Sequence, residues 1–219
     1  MNAQRHRVIH LTWEYPPKIG AIAHACELLV KGLINHNFQV NVVTWDDWRS
    51  YIGYEDRDGS RIYYVSAPIL PASNTINFFI TLNIELERVA ASIFHESPIT
   101  PELIHVHEWI TIPAGLALKS IFDKPLVVTL YSLEDHRSHG AASPFNESIK
   151  AIERKGIHAA SKIIVFSNFM KAEIVRIYGK FEDKISVMNL DDTLSNRTAN
   201  IYNDIFEKTH TITARRLSC

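Results

Sequence analysis

Residues 8–44 decide the fold of this chain: they begin VIHLT (8–12), continue WEYPPKIG (13–20) and end VNVVT (40–44). The first five residues are a short apolar run that stops at a turn with two prolines, as a buried strand does. After Gly20, apolar residues recur at spacings of three and four, which predicts a helix. The last five residues predict a second strand. Strand, loop, helix and strand in this order predict parallel strands joined by a right-handed crossover.

The rest of the chain repeats this alternation. Further strands are predicted at Arg61 to Ser66, Leu103 to Val106, Leu126 to Leu130, Lys162 to Phe166 and Ile185 to Met188. Helices are predicted at Phe79 to Ile93, Ile112 to Phe122, Glu147 to Ala160 and Phe169 to Tyr178. The pattern indicates an α/β fold with a doubly wound, mainly parallel sheet over residues 1–189. Residues 45–60 are expected to loop outward and residues 68–74 to form turns. Residues 190–219 are mostly polar, and we expect a short irregular tail in which Ile201, Ile205 and Phe206 form at most one short amphipathic helix.

The composition argues against several functional classes. The 219 residues include 23 Lys+Arg and 24 Asp+Glu, so no strong field for nucleic acid or an anionic membrane is expected. No apolar run approaches the roughly 18 residues of a membrane span, and no apolar segment near the N-terminus suits a secretion signal. The two cysteines, Cys26 and Cys219, are too few for a disulfide framework. We therefore expect a cytoplasmic chain without a membrane span or a nucleic-acid partner.

The loop after the first strand is the first candidate binding element. It contains Lys18 and Gly20, at the carboxyl end of the sheet and just before a helix. Ligands of open α/β sheets bind at that end, and the N-terminus of a helix attracts phosphate. Lys18 adds a positive charge. A structural turn and a phosphate-binding loop both remain open from these residues alone.

A second candidate is His105-Val106-His107-Glu108-Trp109, at the end of a predicted strand. His105 and His107 share one face of that strand. A short His-x-His pattern also occurs in metal sites. Further ligands for such a site are available at Glu134, Asp135, His136 and His139. Because 11 histidines make chance neighbours common, we expect packing or a ligand cleft here, and no metal ion or other cofactor.

Polar segments also follow two later strands. Tyr131, Ser132 and Glu134 open the loop after one, and Ser167-Asn168 joins another to its helix. Each segment has a structural interpretation as well, since a solvated connection or a helix N-cap uses the same residue types. All the candidate segments lie at one edge of the predicted sheet. Their aromatic, imidazole and carboxylate groups indicate a cleft for a polar ligand, such as a sugar stacked on an aromatic face.

Four segments stand in a recognisable order. They are Thr12-Trp13-Glu14-Tyr15-Pro16-Pro17, His105-Val106-His107-Glu108-Trp109, Val127-Val128-Thr129-Leu130 with Ser132-Leu133-Glu134, and Val165-Phe166-Ser167-Asn168-Phe169-Met170. Together, over residues 6–188, they resemble the N-terminal domain of retaining GT-B glycosyltransferases of the glycogen and starch synthase kind. The resemblance implies the first of two facing Rossmann-like domains.

The resemblance also implies a role for the candidate residues. Members transfer glucose from ADP- or UDP-glucose to a glucan, with retention and without a metal, and the N-terminal domain mainly holds the acceptor. The implied substrate-binding residues are Lys18, Gly20, His107, Glu108, Trp109, Tyr131, Ser132, Glu134 and Ser167. The nucleotide pocket belongs to the second domain, so a nucleotide sugar is expected to bind only where that domain is present.

The chain departs from the family pattern at three places. Ala21 follows Gly20 where the family has paired glycines, and Tyr131 stands where the family has a histidine against the donor sugar. The Pro-Asn-Gly hinge after the last strand is replaced by Met188-Asn189-Leu190-Asp191-Asp192. We therefore expect no intact catalytic residue and no transferase activity from this chain alone.

Three hypotheses of different classes follow. The first is a glycosyltransferase-type domain, truncated or one half of a split enzyme, that pairs with a separate C-terminal domain or self-associates. The second is a non-catalytic binding module or remnant that retains the fold, which Ala21 and Tyr131 favour. The third is a metal-dependent hydrolase, whose ligands would be His105, His107, His136 and His139.

Overall fold

The two strands within residues 8–44 lie side by side in the computed structural model, which describes residues 5–46, 54–66, 75–97 and 100–217. The first strand, β1 (Arg7–Thr12), pairs in parallel with β2 (Gln39–Trp45). The helix α1 (Ala21–Asn35) connects them. The strand–helix–strand unit predicted from the sequence is therefore confirmed.

The remaining elements extend this unit on both sides. The other strands are β3 (Glu55–Arg57), β4 (Ser60–Val65), β5 (Leu103–His107), β6 (Leu126–Thr129), β7 (Lys162–Val165) and β8 (Ile185–Val187). The other helices are α2 (Thr75–Glu96), α3 (Glu108–Phe122), α4 (Glu134–Arg137), α5 (Pro144–Ala159), α6 (Asn168–Tyr178) and α7 (Leu194–Leu217). Among the described residues the strands form one eight-stranded sheet, in which β3 and β4 are the antiparallel pair. The predicted α/β fold with a mainly parallel sheet is confirmed.

The strand order reverses beside β1. Across the sheet the order is β3-β4-β2-β1-β5-β6-β7-β8, so the chain first builds outward on one side of β1 and then on the other. In an open α/β sheet, the loops on the two sides of such a reversal diverge and leave a crevice outside the carboxyl ends of the strands. The residues that follow Thr12 and His107 therefore border this crevice.

Each face of the sheet has its own hydrophobic core. Side chains alternate between the faces along a strand, so Ile9 and Leu11 point into one core and Val8 into the other. Helices α2, α3, α5 and α6 cover the first face, and α1 and α7 cover the second. Burial of apolar surface on both faces is the main driving force for this arrangement. In the described part of the chain, no helix combines the length and the apolarity that crossing a bilayer requires.

A hairpin occupies part of the segment expected to loop outward at residues 45–60. Strands β3 and β4 are joined by Asp58-Gly59, whose φ angles are 50° and 85°. Two-residue hairpin turns favour Asp-Gly because both central residues need positive φ. Strand β3 was not predicted because its residues are polar. The residues at its two ends, Glu55 and Arg57, form an ion pair at 2.8 Å. The turns expected at residues 68–74 lie outside the described residues.

The segment after residue 189 differs from the expected irregular tail. Helix α7 packs along α1, after a turn in which Asp191 Oδ1 accepts a hydrogen bond from the Thr193 N–H at 2.9 Å. Its buried side chains recur at helical spacing, and they are Leu194, Thr198, Ala199, Ile201, Tyr202, Ile205 and Phe206. Two of these residues, Thr198 and Tyr202, have polar groups, so a search for apolar residues alone does not detect the full buried face of the helix. A domain boundary near residue 189 stays a prediction.

Gly32 marks a close approach of α1 and α7. A Cβ atom at this position would overlap the Cβ and Oγ of Ser195. We expect Gly32→Ala to lower the free energy of unfolding by about 1–3 kcal/mol, because an added methyl group in a packed contact forces the helices apart. Urea denaturation followed by circular dichroism measures the change.

Two further variants test the cause of that loss. Ser195→Gly in the Gly32→Ala background should restore most of the lost stability, since it removes the overlapping atoms. Asn35→Ala, at an exposed position of the same helix, should behave like the wild type. A loss that Ser195→Gly does not relieve contradicts the contact between these two helices.

Candidate functional site

His107 and Tyr131 meet in the crevice at the carboxyl edge of the sheet. His107 ends β5, and Tyr131 lies just beyond β6. His107 Nδ1 is 3.2 Å from the Tyr131 hydroxyl, and the two rings are stacked. Tyr131 also stacks on Phe166, with ring centroids 5.0 Å apart. Burial raises the pKa of Tyr131, so its hydroxyl stays protonated and is able to donate a hydrogen bond.

Ser167 lies next to this group and caps a helix. Its Oγ accepts a hydrogen bond from the Met170 N–H at 3.1 Å, at the start of α6. The N-cap role considered from the sequence is therefore present. A serine hydroxyl that accepts one hydrogen bond is still able to donate another. Ser167 thus caps the helix and keeps a donor beside Phe166.

Lys18 lies against a pair of tryptophans. Its Nζ is 3.1 Å from the centroid of the Trp45 ring and 5.5 Å from that of Trp13. The two indole rings stack at 4.6 Å and pack against the core on the α2 face. A cation over an aromatic face is attracted by the ring quadrupole. Lys18 is thus held by aromatic rings, and its role toward a phosphate stays a prediction.

Gly20 lies immediately before α1, where the Glu14 side chain approaches it closely. A Cβ atom on Gly20 would overlap the Glu14 carboxylate. That carboxylate also accepts a hydrogen bond from Trp13 Nε1–H at 2.9 Å. A negative group near a helix N-terminus interacts favourably with the helix dipole. A larger residue at this position would displace the Glu14 carboxylate from the start of α1.

Glu108 fixes the loop that carries Tyr131. Its Oε1 accepts hydrogen bonds from the N–H groups of Tyr131 and Ser132, at 2.6 Å and 2.9 Å. Its own backbone has φ 67°, in the left-handed region that residues other than glycine seldom adopt. Burial raises the pKa of this carboxyl group, and Arg137 and the two N–H donors oppose that shift. Glu108 is thus a positioning group beneath the crevice.

Arg137 joins Glu108 to two further buried carboxylates. Its guanidinium contacts Glu108 at 3.5 Å, Glu134 at 3.0 Å and Glu153 at 2.8 Å. It also donates a hydrogen bond to Ser132 Oγ at 2.6 Å. Burial raises the pKa of Glu153. The predicted site residues Glu108, Ser132 and Glu134 are therefore brought together, and one guanidinium ties them to each other.

Trp109 lies at the border of the same network. Its ring is 5.9 Å from the guanidinium carbon of Arg137 and packs edge-on against Phe79 at 4.9 Å. The indole is only partly buried. It therefore keeps an accessible surface near the carboxyl end of β5.

A cluster of three fully buried histidines lies beneath Tyr131. His10 Nδ1 is 3.1 Å from His107 Nε2, and His10 Nε2 is 3.1 Å from the Tyr202 hydroxyl. That hydroxyl is 2.6 Å from His105 Nδ1, and His105 Nε2 is 2.7 Å from Thr129 Oγ1. Burial lowers the pKa of His10 and His105 well below the ordinary value and that of His107 to about 3. The rings are neutral at physiological pH, and hydroxyl groups satisfy their outer nitrogens.

Within the described ranges, the four histidines proposed as metal ligands do not form one cluster; they are His105, His107, His136 and His139. His136 Nε2 is within hydrogen-bond distance of Glu173 Oε2, at 2.9 Å, and its ring stacks on Phe169. Among the described residues, the histidine and cysteine ligand atoms that approach one another belong to His10, Cys26 and His107. Cys26 Sγ is 3.6 Å from His107 Nε2.

Several participants were not foreseen from the sequence. His10 lies directly opposite His105 in the register of β1 and β5. A histidine in each of the two predicted strands was the available sequence signal for this pair. Tyr202 comes from α7, and Arg137 and Glu153 come from α4 and α5. No local pattern marks these residues, because only the packing of distant elements brings them to the site.

The chain resembles known glycosyltransferases over most of its length. An uncharacterized glycosyltransferase from Methanocaldococcus jannaschii is 29% identical over 188 residues, which cover 83% of this chain and 45% of that protein. A glycogen synthase from Mycobacterium tuberculosis is 27% identical over 89 residues, which cover 40% of this chain and 22% of that protein. The matched region is thus less than half the length of either relative.

The fold and the family agree with these likenesses. A sucrose-phosphate synthase from Thermosynechococcus elongatus has a similar fold, with a TM-score of 0.66, 17% identity, and coverage of 84% of this chain and 48% of that chain. The fold expected from the resemblance, one Rossmann-like half of a GT-B enzyme, is confirmed. The family model described as Glycosyltransferase Family 4 matches residues 20–189. The chain therefore belongs to glycosyltransferase family 4.

Proposed function

We propose that this chain is the acceptor-side domain of a glycosyltransferase and binds a sugar or glucan in the crevice beside Tyr131. The observation that carries the proposal is the group of His107, Tyr131 and Phe166, which extends along the carboxyl edge of the sheet from β5, beside the reversal of strand order, to β7. Tyr131 stacks between His107 and Phe166 and stays partly exposed, so the accessible part of this aromatic group is available to contact a pyranose, and its hydroxyl is able to orient a sugar hydroxyl. The family match and the glycogen synthase relative support a glucan as the acceptor.

The nucleotide sugar, ADP- or UDP-glucose, requires a second domain in this proposal. Transferases lower the barrier by stabilising the departing diphosphate and the developing sugar cation with groups held in place beforehand. Tyr131 stands where the resemblance calls for a histidine, and the chain covers 45% of the Methanocaldococcus jannaschii relative. We therefore expect no turnover by this chain alone.

Exposed apolar side chains at the crevice edge are a docking surface for that second domain. Ile19 follows β1, Phe169 follows β7 and Leu190 follows β8, and all three are exposed. They lie at the carboxyl edge of the sheet, where a facing domain would cover them. Without it, the same surface favours self-association. The free, buried thiol of Cys26 suits a reducing cytoplasm.

A specific observation favours a non-catalytic sugar-binding module as the second candidate. The Glu14 carboxylate approaches the start of α1, and Lys18 lies over Trp45. These are the two elements that the resemblance directs toward a donor phosphate. Ala21 follows Gly20 in place of the second glycine of the family pattern, and its Cβ atom crowds the backbone approach of a phosphate. A module of this kind binds the acceptor and leaves the donor unbound.

Titration calorimetry with a maltooligosaccharide and with ADP- or UDP-glucose tests the proposal. We expect the oligosaccharide to bind and the nucleotide sugars neither to bind nor to be consumed. Tyr131→Ala should weaken oligosaccharide binding about tenfold, because it removes an aromatic stacking face. Tyr54→Ala, at an exposed tyrosine away from the crevice, is the matched control and should bind like the wild type. Oligosaccharide binding that is equal in both variants contradicts the assigned crevice, and turnover of a nucleotide sugar contradicts the need for a second domain.

A further inference from the structure

We propose that His10, Cys26 and His107 form a binding site for one thiophilic d10 metal ion, Zn²⁺ or Cu⁺. The three side chains come from β1, α1 and β5, and their ligand atoms all lie within 4.8 Å of one another. All three residues are fully buried. Two imidazole nitrogens and one thiolate are a donor set that these ions prefer.

The separations of the donor atoms fit a bound ion. His10 Nδ1 is 3.1 Å from His107 Nε2, and Cys26 Sγ is 3.6 Å from the same nitrogen. A tetrahedral ion at ordinary Zn–N and Zn–S lengths separates two nitrogens by about 3.3 Å and a nitrogen from a sulfur by about 3.6 Å. Two of the three separations therefore match a bound ion, and the third, between His10 and Cys26, lies within 4.8 Å and closes as the ion binds.

The outer nitrogen of each imidazole already has a partner. His107 Nδ1 faces the Tyr131 hydroxyl at 3.2 Å, and His10 Nε2 faces the Tyr202 hydroxyl at 3.1 Å. Metal-bound histidines use their second N–H in this way, which fixes the orientation of the ring. Because a hydroxyl both donates and accepts, either tautomer of the ring keeps its partner.

A bound ion and the hydrogen bond between His10 and His107 exclude each other, because both use the two inner nitrogens, His10 Nδ1 and His107 Nε2. On binding, the imidazole that carries the proton of that hydrogen bond changes tautomer. Its proton moves to the outer nitrogen of the same ring, and the new N–H donates a hydrogen bond to a tyrosine hydroxyl. The Cys26 thiol loses its proton to solvent and becomes the third ligand. The step forms two metal–nitrogen bonds and one metal–sulfur bond, releases one proton and changes no oxidation state.

Burial raises the pKa of the Cys26 thiol, so the thiolate forms only together with the bound cation, which stabilises it. Burial lowers the pKa of His10 and His107, so both rings present lone pairs at physiological pH. Two neutral imidazoles and one thiolate give no net charge around Cu⁺ and one positive charge around Zn²⁺. A net charge is costly to bury. Charge balance therefore favours Cu⁺, whereas Zn²⁺ needs an anionic fourth ligand such as hydroxide.

Metal uptake by the full chain tests the site. The protein is reduced, then dialysed against Zn²⁺, or anaerobically against Cu⁺, and its metal content is measured by atomic emission. We expect one ion per chain for at least one of the two metals, and a thiolate-to-metal charge-transfer band when Co²⁺ replaces Zn²⁺. Cys26→Val should abolish uptake and the band. Cys219→Ser, at the second cysteine of the chain, is the matched control and should retain both.

Circular dichroism of the metal-free variants checks that they fold. If Cys26→Val does not fold, His107→Gln replaces it and should lose the cobalt band. Failure of the wild type to bind either ion, or equal uptake by the wild type and a folded Cys26→Val, overturns the proposal. Neither readout depends on sugar binding, so the result is separate from the proposed function.

Discussion

Tyr202→Ala is expected to lower the free energy of unfolding by about 4 kcal/mol, since truncation of a buried aromatic side chain costs about 3–5 kcal/mol. Tyr202 is fully buried, and its ring packs edge-on against Phe38 at 5.7 Å. Its hydroxyl bonds to both His105 and His10, whose nitrogens lose this partner in the variant. Urea denaturation measures the loss.

Tyr202→Phe separates the contribution of the hydroxyl from that of the ring. This variant keeps the packing and leaves two buried imidazole nitrogens unsatisfied, so we expect a loss of about 1–3 kcal/mol. Asn203→Ala, at the exposed neighbouring position of α7, is the control and should behave like the wild type. If Tyr202→Ala is as stable as this control, α7 does not pack on the sheet as described.

Arg137→Ala is expected to lower the free energy of unfolding by about 3 kcal/mol. Loss of one partner from a buried ion pair costs about 3–5 kcal/mol, and the partial exposure of the guanidinium places this site at the low end. The carboxylates of Glu108 and Glu153 remain buried without their cation. The same urea titration measures the change.

The pH dependence of this loss identifies its cause. Burial already raises the pKa of Glu108 and Glu153, and removal of the guanidinium raises both further. Acidification then neutralises the carboxylates, so the difference between the variant and the wild type should be smaller near about pH 5 than near about pH 7. Arg88→Ala removes an exposed pair with Glu85 and should cost less than about 1 kcal/mol at either pH. A deficit for Arg137→Ala that stays constant with pH contradicts the electrostatic account.

Much of the fold was predictable because local patterns determine it. The apolar runs and helical spacings of residues 8–44 fix the first crossover, and the later repeats of the same pattern fix a parallel sheet. The edge of the sheet that carries the candidate residues follows from this topology. The meeting of His107 and Tyr131 agrees with it, because both follow the carboxyl ends of neighbouring strands.

The rest depends on contacts that the local sequence does not encode. The register of β1 against β5 places His10 beside His105, and the packing of α1 and α7 adds Cys26 and Tyr202. A search for metal ligands near His107 along the chain leads to His136 of α4, whose side chain contacts Glu173 of α6 instead. The sequence indicated only a short helix around Ile201, Ile205 and Phe206. The full length of α7 was missed because the burial of Thr198 and Tyr202 depends on neighbours in α1 and the sheet.

The hydrogen bond between His10 and Tyr202 joins residues that are 192 positions apart. During translation, β1 and α1 leave the ribosome long before α7 is synthesised. In that interval the apolar side of α1 that packs on α7 is exposed to solvent. Contacts of such sequence separation form slowly, and the uncovered surface is prone to aggregation in the interval. In nascent chains that end before about residue 202, the apolar side of α1 therefore lacks the cover that Tyr202 and its neighbours in α7 provide.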